Sequence, residues 1–307
     1  MLPYAFLIFS PFIYTFQIND LQGGFRKEII YFALLAFIAY AAKAYEHKVF
    51  EKIFYIALLL YPAIILTHEM LAIFLPYVLI VYISVTDLTK KRIWVIACML
   101  VPSIISFFAS SFYAVTPIQV TEILQSITQA GYAIDGGAIA WLDKPVAYGI
   151  NEVTQIVQHE PYITYYLLVL LLSCLAFIPL YKQMGALFHK KSSQILISVS
   201  AFGTVVLFVV ALDWGRFIYI HLVSLFILSL IPNIADYSSL QCRLEKICKL
   251  YVNKTTRLFV ILFFIAYVSL WHIPHCCSPA PYAHNFQQIN VIAYIHPYTK
   301  LIWSVSK

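Results

Sequence analysis

The sequence predicts an all-α protein: a polytopic transmembrane helical bundle of about nine spans, with one long outer loop of amphipathic helices. Three observations carry that expectation. The 307-residue chain is 62% hydrophobic and only 11% charged, whereas soluble domains run near 45–50% apolar and about 25% charged, so it cannot clothe a water-facing globule. Its apolar residues form long unbroken runs, unlike the alternating segments of about ten residues that build a transmembrane barrel. Its basic residues cluster between alternate pairs of runs. The same composition excludes a soluble enzyme and a disordered chain. The net charge of +6 then concerns loop placement, not nucleic acid.

A spanning helix needs about 20 apolar residues. Reading between charged residues gives spans at roughly 2–18, 29–45, 53–67, 70–86, 93–112, 162–180, 194–212, 217–235 and 258–273, all within one integral membrane domain, 1–307. The first run carries Pro3 and Pro11 and reads as a bent or partial helix. It has neither a basic n-region nor a small-residue cleavage site, which argues against a cleaved signal peptide, and its abrupt start suggests a chain shortened relative to a longer protein. Residues 113–161 form the outer loop. Ile118, Val120, Ile123, Leu124 and Ile127 share a helical face, Gly136-Gly137 and Pro145 interrupt it, and Ile150, Val153, Ile156 and Val157 resume it. Two amphipathic helices on the membrane surface, joined by a Gly-rich turn, are expected. Segment 236–257 is basic and amphipathic and suits the cytoplasmic headgroups, and 274–307 is an outer tail. The six cysteines make no metal framework, and vicinal Cys276-Cys277 is an outer pair that either oxidises or simply packs.

Orientation follows from Lys and Arg. With the N-terminus cytoplasmic, one side receives Lys43, Lys48, Lys52, Lys90, Lys91, Arg92, Lys182, Lys190, Lys191, Arg243, Lys246, Lys249, Lys254 and Arg257. The other receives Arg26, Lys27, Lys144, Arg216, Lys300 and Lys307, completing all 20. This is a positive-inside distribution, with Arg26 and Lys27 the exception.

Ionisable groups near membrane depth are costly and mark function by default. Two groups qualify, both on the outer side. Thr67-His68-Glu69 joins spans three and four. Residues 53–67 make only ~22 Å of helix against a core of about 30 Å, so the hairpin is expected to turn below the surface unless neighbouring charged residues extend the helix. The alternative is a wet hairpin tip. Asp213-Trp214-Gly215-Arg216 joins spans seven and eight. Asp213 and Arg216, three apart, can pair, and Arg216 has the planar fork that suits phosphate or carboxylate. Trp214 sits at the depth of interfacial aromatics. The alternative here is a salt-bridged turn. His221 lies ~7.5 Å deeper along the helix and either lines the same cavity or packs, while Tyr219 is read as packing. With Asp135, Asp143, Glu152, His159 and Glu160 in the loop above, such a cavity suits a lipid-linked anionic substrate. Arg216 would meet the diphosphate, and His68 or Glu69 would deprotonate an acceptor hydroxyl. Such a substrate arrives with its leaving group already activated by its phosphates.

The run Arg26-Lys27-Glu28, the THEMLAIFLPY stretch (67–77) and the ALDWGRFIYIH stretch (211–221) resemble a family of bacterial surface-polysaccharide gene-cluster membrane proteins, the O-antigen or capsule repeat-unit polymerases. The resemblance covers roughly 26–273. It implies an inner-membrane glycosyltransferase that joins undecaprenyl-diphosphate-linked oligosaccharide repeats on the periplasmic face, without metal or other cofactor. It also implies membrane lipid and other polysaccharide-assembly proteins as partners. By motif it carries over His68, Glu69, Asp213 and Arg216 without fixing the role of each. On the residues themselves, His68, Glu69 and Asp213 are the catalytic candidates and Arg216, Trp214 and His221 the substrate-binding ones.

Other classes remain open on the residues alone. A polyprenyl-monophosphate-sugar glycosyltransferase would need an acid in the first outer loop, where Asp20 is the single candidate. A flippase would need polar groups towards both faces. An acyltransferase would want a deep His with cytoplasmic arginines. A metalloprotease reading of His68-Glu69 fails because position 72 is Ala, so the second His of H-E-x-x-H is missing.

Overall fold

The structure, a computed structural model, describes residues 27–113, 115–132, 137–231 and 254–269. Every regular element among them is helical. The helices are α1 (Glu28–Ala44), α2 (His47–Thr67), α3 (Leu75–Val85), α4 (Lys90–Phe112), α5 (Pro117–Gln129), α6 (Val146–His159), α7 (Tyr162–Phe177), α8 (Tyr181–His189), α9 (Lys191–Val210), α10 (Trp214–Ser229) and α11 (Lys254–Ser269). Short 3-10 turns cover Glu69–Phe74, Gly137–Trp141 and Ile178–Leu180. Three helices, α2, α4 and α9, are long and apolar enough to cross a membrane, and α3, α7 and α10 are apolar but shorter. The expected span at 2–18, the basic segment before Lys254 and the 274–307 tail lie outside the described residues.

Two corrections to the expected elements have physical causes. The second described helix does not start at 53. It starts at His47 and runs 21 residues, about 31 Å, so the hairpin at His68 is not recessed by a short helix. Charged residues extend α2 because they find partners. Glu51 Oε1 accepts from Tyr82 Oη at 2.7 Å, from Tyr55 Oη at 3.0 Å and from Arg92 Nε at 3.0 Å, which ties α2 to α3 and α4. The second correction is α8, a nine-residue helix in a stretch read only as a basic connection.

The 113–161 segment contains two α-helices, as its periodicity predicts. Thr116 and Gln119 form a capping box ahead of Pro117, which satisfies orphan N–H groups at the start of α5. The second helix, α6, packs on α9. A Cβ at Gly149 would run into the carbonyl oxygen of Val210, so only glycine permits this approach of α6 to the end of α9.

The core is formed by α1, α2, α3 and α10, with α4 and α9 against it. Its rings include Tyr31, Phe50, Phe54, Tyr61, Phe74, Tyr77 and Tyr82. Outward faces are apolar: Trp94 is 73% exposed and Phe202 72% exposed, as expected where the solvent is lipid.

The chain from 69 to 85 is not one α-helix. Its first turn and a half is 3-10, which leaves carbonyls without α-helical partners. In an apolar layer each such group must be satisfied by protein. Tyr61 Oη donates to the Leu71 carbonyl at 2.7 Å, Ser200 Oγ to that of Ile73 at 2.8 Å and Tyr31 Oη to that of Phe74 at 3.3 Å. Hydroxyls from α2, α9 and α1 thus hold the break. Gly203 lets α9 pass close, since a Cβ there would meet Ile73 at 2.8 Å.

The bundle therefore has two polar ends. At one, Lys190 Nζ donates to the Ile83 carbonyl at 2.8 Å and His47 pairs with Thr86 at 3.1 Å, close to the Glu51–Arg92 pair. At the other lie Glu28, His68, Glu69, Asp213 and Arg216.

Candidate functional site

The second polar end is built from helix termini. Glu28 opens α1, and Asp213 occupies the N-cap of α10, whose third residue is Arg216. The Ala211–Leu212–Asp213 connection is short, and it holds α9 and α10 as neighbours. The Arg216 side chain, 10% exposed, donates from Nε to Glu28 Oε1 and from Nη1 to Asp213 Oδ2 at 3.1 Å. The Asp213–Arg216 pair expected from the i, i+3 spacing is therefore present. The carboxylates differ in setting. Glu28 is 3% exposed and Asp213 is 29% exposed. A guanidinium stays charged even when buried, so burial this deep is tolerated where carboxylates match it.

Glu28 is the residue that sequence reasoning missed. It belongs to the Arg26-Lys27-Glu28 run that precedes a predicted span, and the sequence assigns it no role in the site. The signal available was an acid placed one residue before an apolar run at the same end as a lone Arg. Only the packing of α1 on α10 puts them together across 188 positions. The second oxygen, Glu28 Oε2, is buried with no hydrogen-bond partner.

His68 and Glu69 lie at the same end. His68 Nδ1 and Glu69 Oε2 are 3.3 Å apart, with the histidine 19% and the glutamate 51% exposed. At this turn, outside the spans, the His68 hydrogen bond holds the Glu69 carboxyl below the ordinary carboxylate range, with a smaller contribution from the Lys27 charge. Lys27, which precedes Glu28, thus brings the two sequence motifs within electrostatic reach of each other. Three acids, Glu28, Glu69 and Asp213, and one histidine thus lie at the same end as Arg216 and Lys27.

Trp214 and His221 are placed differently from the solvent-facing roles open to them. The Trp214 indole is 9% exposed. Its Nε1 donates to the Phe208 carbonyl at 2.9 Å, and its ring packs 4.8 Å from Phe208 and 4.9 Å from Tyr162. It welds α7, α9 and α10 beneath Arg216. His221 uses both ring nitrogens inside the bundle, Nδ1 with Tyr77 Oη at 2.5 Å and Nε2 with Thr204 Oγ1 at 2.6 Å. It links α3, α9 and α10 beside the 3-10 break. Tyr219 is buried, as read.

Of the loop acids, Asp143 pairs with its neighbour Lys144 at 3.2 Å, and Glu160 closes α6 as its C-cap. Asp135, like Asp20, lies outside the described residues. Among the described residues no group of three or more His, Cys, Asp or Glu side chains could hold a metal ion. No family model, curated protein or solved structure matches this chain.

Proposed function

We propose that the protein is a polysaccharide polymerase of the O-antigen or capsule type. In this reading about nine spans cross a bacterial inner membrane with the N-terminus in the cytoplasm, and the enzyme joins undecaprenyl-diphosphate-linked oligosaccharide repeats on the periplasmic face. The observation that supports it most directly is the buried Arg216, held by Glu28 and Asp213 at the same end as His68, Glu69 and Lys27, opposite the end rich in lysine. Cations suited to a diphosphate stand beside groups suited to receive a proton, at the edge of an apolar bundle where a polyprenyl tail can lie.

The chemistry asks little else of the protein. An acceptor sugar hydroxyl attacks the anomeric carbon of the donor repeat, forming the new C–O bond. The bond between that carbon and the diphosphate oxygen breaks, and polyprenyl diphosphate leaves with both electrons. The hydroxyl proton passes to the His68–Glu69 pair. Arg216 and Lys27 meet the negative charge on the leaving diphosphate. The leaving group arrives already activated, so positioning and charge stabilisation supply the rate.

Gene deletion followed by electrophoresis of the surface polysaccharide tests the reading. A polymerase predicts loss of the ladder with a single repeat retained. Complete loss of polysaccharide, or single repeats that stay on the cytoplasmic face, would instead indicate an assembly enzyme or a flippase.

A further inference from the structure

Arg216 is not empty-handed in this structure. Two of its nitrogens already hold carboxylates, and a diphosphate has to displace one of them before the fork can take it. The two carboxylates are unequal. Glu28 sits inside the α1–α10 contact at 3% exposure, while Asp213 is at the rim at 29%. Displacing Glu28 would strand a buried charge without its partner, which is strongly unfavourable. Displacing Asp213 frees a group that is already partly exposed.

Asp213 also has somewhere to go. It stands at the N-cap of α10, yet its side chain makes no capping hydrogen bond. Aspartate is among the preferred N-cap residues because its carboxylate can accept from the N–H groups of the first turn. Pairing with Arg216, with the Asp213 backbone at ψ 39°, forgoes that interaction. Release from Arg216 together with a turn of this backbone towards the extended region would make it available.

We propose that Asp213 is a displaceable resident of the Arg216 fork. A diphosphate group takes the place of its carboxylate, Asp213 turns back to cap α10, and Glu28 stays as the fixed partner that orients the guanidinium. Asp213 thereby acts as a placeholder. It keeps the buried cation satisfied between turnovers and competes with the substrate headgroup. This inference rests on the reading of Arg216 as a diphosphate clamp.

The sign of one substitution separates this from a merely structural ion pair. Full-length protein in lipid nanodiscs is titrated with undecaprenyl diphosphate, and Kd is read from intrinsic fluorescence for the wild type, Asp213→Asn and Arg216→Lys. Removing a competitor of the strength of a partly exposed ion pair should tighten binding about fivefold in Asp213→Asn, whereas Arg216→Lys weakens it. Should the asparagine variant elute as misfolded, Asp213→Ser, which keeps an N-cap oxygen, replaces it with the same expectation. If Asp213→Asn binds with unchanged or weaker affinity while Arg216→Lys loses binding, the exchange is wrong and the clamp stands. If Arg216→Lys binds like wild type, or wild type does not bind, the clamp fails and the exchange with it.

Discussion

At the scale of single residues, the site depends on the difference between a fork and a point charge. Arg216→Lys places a cation in the same position but cannot serve two carboxylates in one plane. We expect membrane insertion to persist and the polysaccharide ladder to collapse to single repeats. A full-length ladder in that variant would remove Arg216 from the chemistry. Glu28→Gln should act on folding first. A broken buried pair costs ~3–5 kcal/mol, moderated here by the remaining Asp213, and the loss is measurable as a lower melting temperature of the purified protein. His68→Ala leaves the core untouched because the ring is at the rim. A shortened or absent ladder is expected, and normal laddering would return His68 to the role of a hairpin tip. The residue scale is also where sequence reasoning was least complete. The Asp213–Arg216 pair was legible because residues three apart on a helix share a face. Glu28 was not, since its partnership depends on which helices become neighbours.

At the scale of elements, the most informative feature is the 3-10 break at Glu69–Phe74. A run of apolar residues from 70 to 86 reads as one continuous helix, and hydropathy has no means of registering a change of helical pitch. The break exists because three hydroxyls from other helices satisfy its carbonyls. Tyr61→Phe should therefore destabilise the bundle by about 1–3 kcal/mol, the cost of leaving a buried carbonyl unpaired. Resistance to unfolding by detergent measures it, and no change would mean that a neighbouring group or water takes over the Leu71 carbonyl. The junction of α6 with α9 makes a second prediction. Gly149→Ala puts a Cβ against a backbone carbonyl that cannot swing aside, so α6 must lift. A cost of about 1–3 kcal/mol is expected, with faster proteolysis of the 146–159 helix. Unaltered proteolysis would show that α6 accommodates the methyl group without lifting.

At the scale of the whole molecule, the proposed topology makes a direct prediction. A phosphatase reporter fused after Tyr132 should be active outside the cytoplasm, and one fused after Lys190 should be inactive. The opposite pattern would invert the membrane orientation and take the proposed periplasmic site with it. What the sequence determined by itself was the class of solvent and the alternation of the chain. With 34 charged residues in 307, the protein must bury its backbone in helices, and the positions of lysine and arginine divide the connections into two sets. The amphipathic helices at 117–129 and 146–159 and the Asp213–Arg216 pair were likewise legible, because periodicity and i, i+3 spacing are local properties. Tertiary structure alone decided that Glu28 is Arg216's buried partner, that the His68 turn shares an end with it, that Trp214 and His221 are held inside the packing, and that α2 begins at His47. Each depends on a contact between helices far apart in the chain. Such contacts are set by how side-chain volumes and unsatisfied polar groups fit together in three dimensions, which the order of residues along one helix does not express.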